Sequence, residues 1–302
     1  MSKIKHSKPR ARSTGIGSAA AVALLAALLA APAHAQAPYA TPEQAATAFI
    51  TAVQANDVAG FAKVLGNDWR QLLPPGGVPP DELKAFLNLA SQAHGIKVKD
   101  GRALMAVGAD PYVLPIPIVQ GKDSQWRFDV SGGREAVLER RIGFNERWAM
   151  KSALAYLDAQ REYAQADRNG DGVLSYALKF FSSPGKRDGL IWSSKLGDES
   201  PLGEGFVSTD PKQGYHGYHF KILTSQSARA RGGARDYMLG KHMVGGYALI
   251  AWPVDYGRTG VMTFMVNHDG VIYQRDLGYD TELIARETTR FDPDIGWTPT
   301  QP

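Results

Sequence analysis

Cysteine is absent from all 302 residues. No disulfide can form, so stability must come from burial and hydrogen bonding. Thiol nucleophiles are excluded, and so is lipid attachment at a Cys following an export signal. No second apolar run approaches the roughly 20 residues of a membrane span. The chain shows no fixed-period repeat, no G-x-S-x-G and no H-E-x-x-H, and it is read as holding no nucleophile motif, S-x-x-K included. Its Gly-Gly pairs at 232–233 and 245–246 fall between strand patterns, not between strand and helix, so a phosphate cradle is not expected.

What is present begins with an export signal. Lys3, Lys5, Lys8, Arg10 and Arg12 precede an apolar run from Ala19 to Ala31, and Ala33-His34-Ala35 forms a small-x-small cleavage site. The reading is a signal peptide over 1–35 and a periplasmic or extracellular protein after cleavage near Ala35. No stable membrane span is expected in the remainder. The formal charge of the whole chain is +4. The five basic residues of the signal, which carries no acid, leave −1 for the rest. A near-neutral mature chain argues against nucleic acid as a partner.

Residues 36–132 read as helices followed by a small antiparallel sheet. Thr41-Pro42-Glu43-Gln44 is a helix start, with Thr41 as cap. Asn56-Asp57 breaks and recaps, Gly66 ends that helix, and Asp81 starts another. Strand signals follow at 102–107, 112–119 and 125–130, with Pro115 and Pro117 pointing to an edge strand. Gly132-Gly133 reads as punctuation. A long helix is expected from about Arg134 to Gln165, with Gly143 as a point of interruption. After an irregular Gly-rich stretch to about Gly217 come strands at 218–224, 247–253, 261–267 and 271–275. His268-Asp269-Gly270 forms a hairpin turn between the last two. The class is α+β, with 133–302 as a long helix plus antiparallel meander.

Trp126-Arg127-Phe128-Asp129, Arg140-Arg141-Ile142-Gly143 with Asn145-Glu146, and Gly214-Tyr215-His216-Gly217-Tyr218 resemble an exported Gram-negative family, domain of unknown function 2950. So do Gly245-Gly246-Tyr247-Ala248 and Val261-Met262-Thr263-Phe264. The resemblance implies no activity. From Ala149 onward the chain is similar to the globular part of pseudopilins and minor pilins. Gly246-Tyr247, Ala251-Trp252-Pro253, Gly260, Phe264 and His268-Asp269-Gly270-Val271-Ile272 carry that likeness. Pilins keep a hydrophobic N-terminal helix that builds the filament, and none precedes Ala149 here. The front part, Thr41 to Val130, resembles cone-shaped NTF2-like modules.

The candidate metal ligands are Asp167, Asn169, Asp171, the carbonyl of Val173, and Ser175. They fit the first nine positions of a calcium loop, D-x-N-x-D-G-x-x-S. Position twelve should be a bidentate Glu and is Leu178. The competing reading is an Asx-rich turn at the helix end. His216 and His219, three apart, point to opposite faces if they lie on a strand. Asp129, Glu135, Arg140 and Arg141 read either as a catalytic cluster or as an ion-paired join between modules. Trp126, Trp148, Trp192, Trp252 and Trp297 read as a glycan-stacking face or as core. The leading expectation is a non-enzymatic envelope protein that binds a protein or glycan partner. The alternatives are an enzyme or small-molecule binder using an NTF2-like cavity with His94 and Asp129, and a calcium-stabilised structural or adhesive protein.

Overall fold

The computed structural model describes residues 36–73, 77–99, 102–203 and 214–302. The expected export signal over 1–35 lies outside them. No helix among the described residues is long and apolar enough to cross a membrane.

Helix α1 spans Pro42–Gln54 and is capped as its sequence predicts: Thr41 Oγ1 accepts from Gln44 N–H at 3.3 Å, and Gln44 reaches back to Ala40 N–H. Asp57 caps α2 (Val58–Leu65), which ends at Gly66 with φ of 86°. A 3₁₀ turn follows at Asn67–Leu72, and then α3 at Pro80–Gln92. The first sheet has the order β1 (His94–Lys99), β2 (Arg102–Val107), β3 (Tyr112–Gln120), β4 (Trp126–Phe128), all antiparallel. Phe49 packs against Phe61, Phe86 and Phe128 at ring separations of 6.4, 6.1 and 5.6 Å, which fills the space between helices and sheet with aromatic rings.

Two expectations need correction. The proline-bearing strand β3 is internal, between β2 and β4. Its prolines are tolerated because β4 covers only Ile118–Gln120, and because the β2–β3 register slips between Leu104 and Ala106, opposite the Pro115 region. Gly132-Gly133 does not punctuate; it lies in the first turn of α4 (Val130–Tyr163), which also runs unbroken through Gly143. Asp129 caps this helix through Gly132 N–H at 2.8 Å. A Cβ at Gly133 would meet Ile116 Cα at 2.9 Å, so glycine is what lets the helix start lie on β3.

Helix α4 belongs to two cores. Val130 and Val137 pack in the first; Ala149, Ala153, Tyr156, Leu157 and Tyr163 pack in the second. The second core is built on a sheet of order β13-β12-β11-β10-β5. Its strands are β5 (Tyr218–Leu223), β10 (Ala248–Pro253), β11 (Met262–Asn267), β12 (Ile272–Asp276) and β13 (Thr298–Thr300). Between β5 and β10 lie two small pairs: β6 (Ser225–Gln226) with β7 (Arg235–Asp236), and β8 (Met238–Leu239) with β9 (His242–Met243). All six residues of β10 are buried, and both α4 and α5 (Thr281–Glu287) pack on that strand. The Asp269-Gly270 turn joins β11 to β12, with Gly270 at φ of 86° and its N–H on Asn267 O.

Candidate functional site

The irregular segment after α4 is fastened to that helix by side chains. Gln160, fully buried, donates to Ala177 O at 2.9 Å and accepts from Ala177 N–H at 2.8 Å. Tyr163 Oη donates to Arg187 O. Further along, Asp198 takes Arg187 at 2.6 Å and Arg168 at 3.6 Å, and Trp192 Nε1 donates to Asp198 O. A chain stretch with little regular structure thereby acquires fixed geometry.

The Asp167 loop opens this segment. The Asp167 carboxylate accepts from the amides of Gly170, Asp171 and Gly172, and these hydrogen bonds, Gly172 foremost, hold it below the usual carboxylate range. Gly170 and Gly172 sit at positive φ, as the sharp turn needs. Asn169 and Asp171 bond to each other and Asp171 Oδ1 takes Val173 N–H, while Ser175 is buried at the loop's end. As a calcium site the donor set is short. Leu178 supplies no oxygens at the twelfth position, and Asp171 Oδ2 already faces Lys241 Nζ at 3.7 Å and His242 Nδ1 at 3.4 Å. Two carboxylates, one of them against the Lys241 ammonium, suit only weak calcium binding, on the order of millimolar.

Fourteen residues on from Asp167, the same segment forms an open depression of about 500 Å³. That volume lies within the range of small-ligand sites. Phe181, Ile191, Trp192 and Leu196 give it an apolar lining, and the exposed Lys186 and Lys195 line it too. Ser183 also lines it and sits in a three-way cluster. Its hydroxyl accepts from Lys179 Nζ at 2.8 Å and donates to Asp188 Oδ2 at 3.0 Å, and Lys179 reaches Asp188 at 2.8 Å. Burial works against ionisation of Asp188. Even so, the Lys179 bond and the Ser183 amide and hydroxyl carry its carboxyl down to about 2. The expectation of no nucleophile motif is thus corrected: Ser183-Pro184-Gly185-Lys186 has S-x-x-K spacing. That spacing was the signal that could have found this site. The lysine bonded to the Ser183 hydroxyl, however, is Lys179, four residues upstream.

The other nominated residues are dispersed. Asp129 is a helix cap, Glu135 is exposed, Arg140 bonds Val113 O, and Arg141 bonds Leu72 O at 2.6 Å. The join between front and back is therefore made by side chains on backbone groups and not by ion pairs among these four. On the other side, Asn145 donates to Thr259 O and Glu146 accepts from the amides of Val261 and Met262. His94 lies at the end of β1, where its Nδ1 meets Ala90 O, and Asp129 follows β4; opposite edge strands of one sheet keep them apart. His216 lies in a turn with φ of 47° and stacks on Trp148 at 4.7 Å, and burial lowers its imidazole below the usual value; His219 lies against Trp252. Among the tryptophans, Trp192 and Trp252 are buried in the second core, Trp297 packs against it, and Trp126 packs against the first. They share no single stacking face.

No curated protein and no solved structure matches the chain. The family model described as a protein of unknown function (DUF2950) matches residues 36–300, and the chain belongs to that family.

Proposed function

We propose that this is an exported, non-enzymatic envelope protein that binds a protein or glycan partner through the depression at Phe181–Leu196. The carrying observation is the state of Ser183, the one hydroxyl there set out like a nucleophile. Its proton is directed to Asp188, a carboxylate with a depressed pKa and hence a poor base. Lys179, the neighbouring amine, is ion-paired with the same carboxylate. A serine nucleophile needs an effective general base beside it, and this cluster is arranged instead to fix the shape of the turn.

The export assignment is supported by the charged start, the apolar run Ala19–Ala31 and Ala33-His34-Ala35. A pilin-like reading of the back half is supported by a long helix lying on an antiparallel meander, and an NTF2-like reading of the front by helices packed on a four-stranded sheet.

The test is a panel of chromogenic esters, amides, phosphoesters and glycosides offered to the purified protein, beside Ser183→Ala. The expected outcome is no turnover. Turnover that disappears in Ser183→Ala overturns the proposal and installs a serine hydrolase in its place.

A further inference from the structure

We infer that the ligand of this depression is an acidic saccharide, a sugar chain bearing carboxylates. The inference rests on the binding reading above and names the chemistry of its ligand.

Charge is the first argument. Among the described residues, the lining of the depression contains no carboxylate. Of the acids just behind it, Asp188 is occupied by Lys179, and Asp198 by Arg187 and Arg168. Those pairings leave Lys186 and Lys195, both in the lining, without an acidic partner among the described residues. Both ammonium groups are on exposed residues. Two cations with no acidic partner among the described residues, over a lining whose described residues carry no acid, attract an anion, and a charge-assisted hydrogen bond to each would hold it.

The second argument is the apolar surface beside them. The Phe181 side chain is 55% exposed, large for a phenylalanine, and lines the same depression. A pyranose presents a face of C–H groups that lies flat on such a ring, with its hydroxyls and carboxylate turned to the rim. Ser193 adds a hydroxyl there.

The third argument disfavours an extended acidic peptide. Strand addition needs a free row of backbone groups. Around the lining several of those groups are already used, which interrupts such a row. Ser182 N–H goes to Ile191 O, Ile191 N–H to Phe180 O, Leu190 N–H to Lys179 O, and Leu202 N–H to Leu190 O. Recognition therefore falls to side chains, as suits a ligand that carries its own polar groups on every residue.

The experiment is calorimetric titration of the purified protein with oligogalacturonate and oligomannuronate, with a maltooligosaccharide of equal length as the neutral probe and with poly-glutamate as the peptide probe. Lys186→Gln, Lys195→Gln and Phe181→Ala are compared with the unmodified chain. All three change exposed side chains, and thermal melting checks that each variant folds. The expected result is binding of a uronate oligomer, weakened about tenfold by each lysine change and by raised salt. Phe181→Ala weakens it too, and the neutral sugar binds at least about tenfold more weakly than the uronate. Equal affinity for charged and neutral sugars, indifferent to both lysines, overturns the acidic class while leaving glycan binding intact. Poly-glutamate binding as tightly as the uronates, with Phe181→Ala silent, overturns the saccharide in favour of an acidic peptide. Failure of both uronate oligomers to bind overturns the inference, and the broader binding reading then falls only if Ser183-dependent turnover is also seen.

Discussion

Gln160 and Ala177 exchange two hydrogen bonds, so that a side-chain amide on α4 takes the place of a neighbouring strand for one residue of an irregular segment. Both residues are essentially fully buried. Gln160→Leu keeps the bulk but strands a buried N–H and a buried C=O. The expected loss is about 2–4 kcal/mol, because each unsatisfied buried group costs roughly 1–3 kcal/mol. Urea unfolding measures it. A loss under about 0.5 kcal/mol would mean that water reaches Ala177.

Two glycines of α4 should respond to alanine with opposite signs. At Gly133 a Cβ meets backbone atoms of Ile116 and Pro115 at 2.9 and 3.1 Å, and neither can turn aside. Gly133→Ala should destabilise by about 1–3 kcal/mol. At Gly143 the nearest atom is the flexible end of Arg147 at 3.7 Å. Gly143→Ala should stabilise by roughly 0.5–1 kcal/mol through helix propensity. Paired thermal melts decide the matter, and a shared sign would refute the packing account.

Acid stability has a signed expectation at Asp188. Its carboxyl titrates near 2 in the folded chain, against 3.8 as its ordinary value. A depressed carboxylate contributes stability that is present above its unfolded pKa and lost as pH falls through the folded one. Between about pH 4 and 2 the unmodified protein should therefore weaken. Asp188→Asn should lower stability at neutral pH and flatten that part of the curve. Urea midpoints across the window give the answer; parallel curves for the two proteins would remove Asp188 from the account.

Calcium should discriminate at Lys241. Its ammonium lies 3.7 Å from Asp171 Oδ2 and opposes a cation there. Calorimetry of the unmodified chain should show binding no tighter than the order of millimolar. Lys241→Gln should tighten it, and Asp171→Ala should weaken it further. Micromolar binding by the unmodified chain would show that the ligand set is larger than Asp167, Asn169, Asp171, Val173 and Ser175.

The helix pattern of the front, the caps at Thr41 and Asp57, and the Asp269-Gly270 turn were legible because each depends on near neighbours in sequence. Strand β1 was not: five of its six residues are exposed, so it carries no apolar alternation. It is a strand because β2 pairs with it. Gly132-Gly133 misled for the converse reason. Glycine usually marks a break, but here close contact with β3 requires it. The Asp167 loop was visible as a motif, whereas Lys241 and His242, which occupy Asp171, come from seventy residues away in the chain. The depression was hidden for a related reason. Ser183, Lys179 and Asp188 are ordinary surface residue types until Gln160 and Tyr163 fix the segment that carries them.

The unbroken run of α4 through both cores bears on how this molecule can be cut. Adjoining cores are commonly tied by an exposed linker, where proteases strike first. Here the connection is the interior of a 34-residue helix, whose amides and carbonyls are already spoken for. A protease needs an extended strand of some length, and this junction cannot offer one without melting several turns and releasing Arg141 and Glu146 from their backbone partners. A chain that has no cysteine to lock it shut has, at its middle, nothing loose to sever.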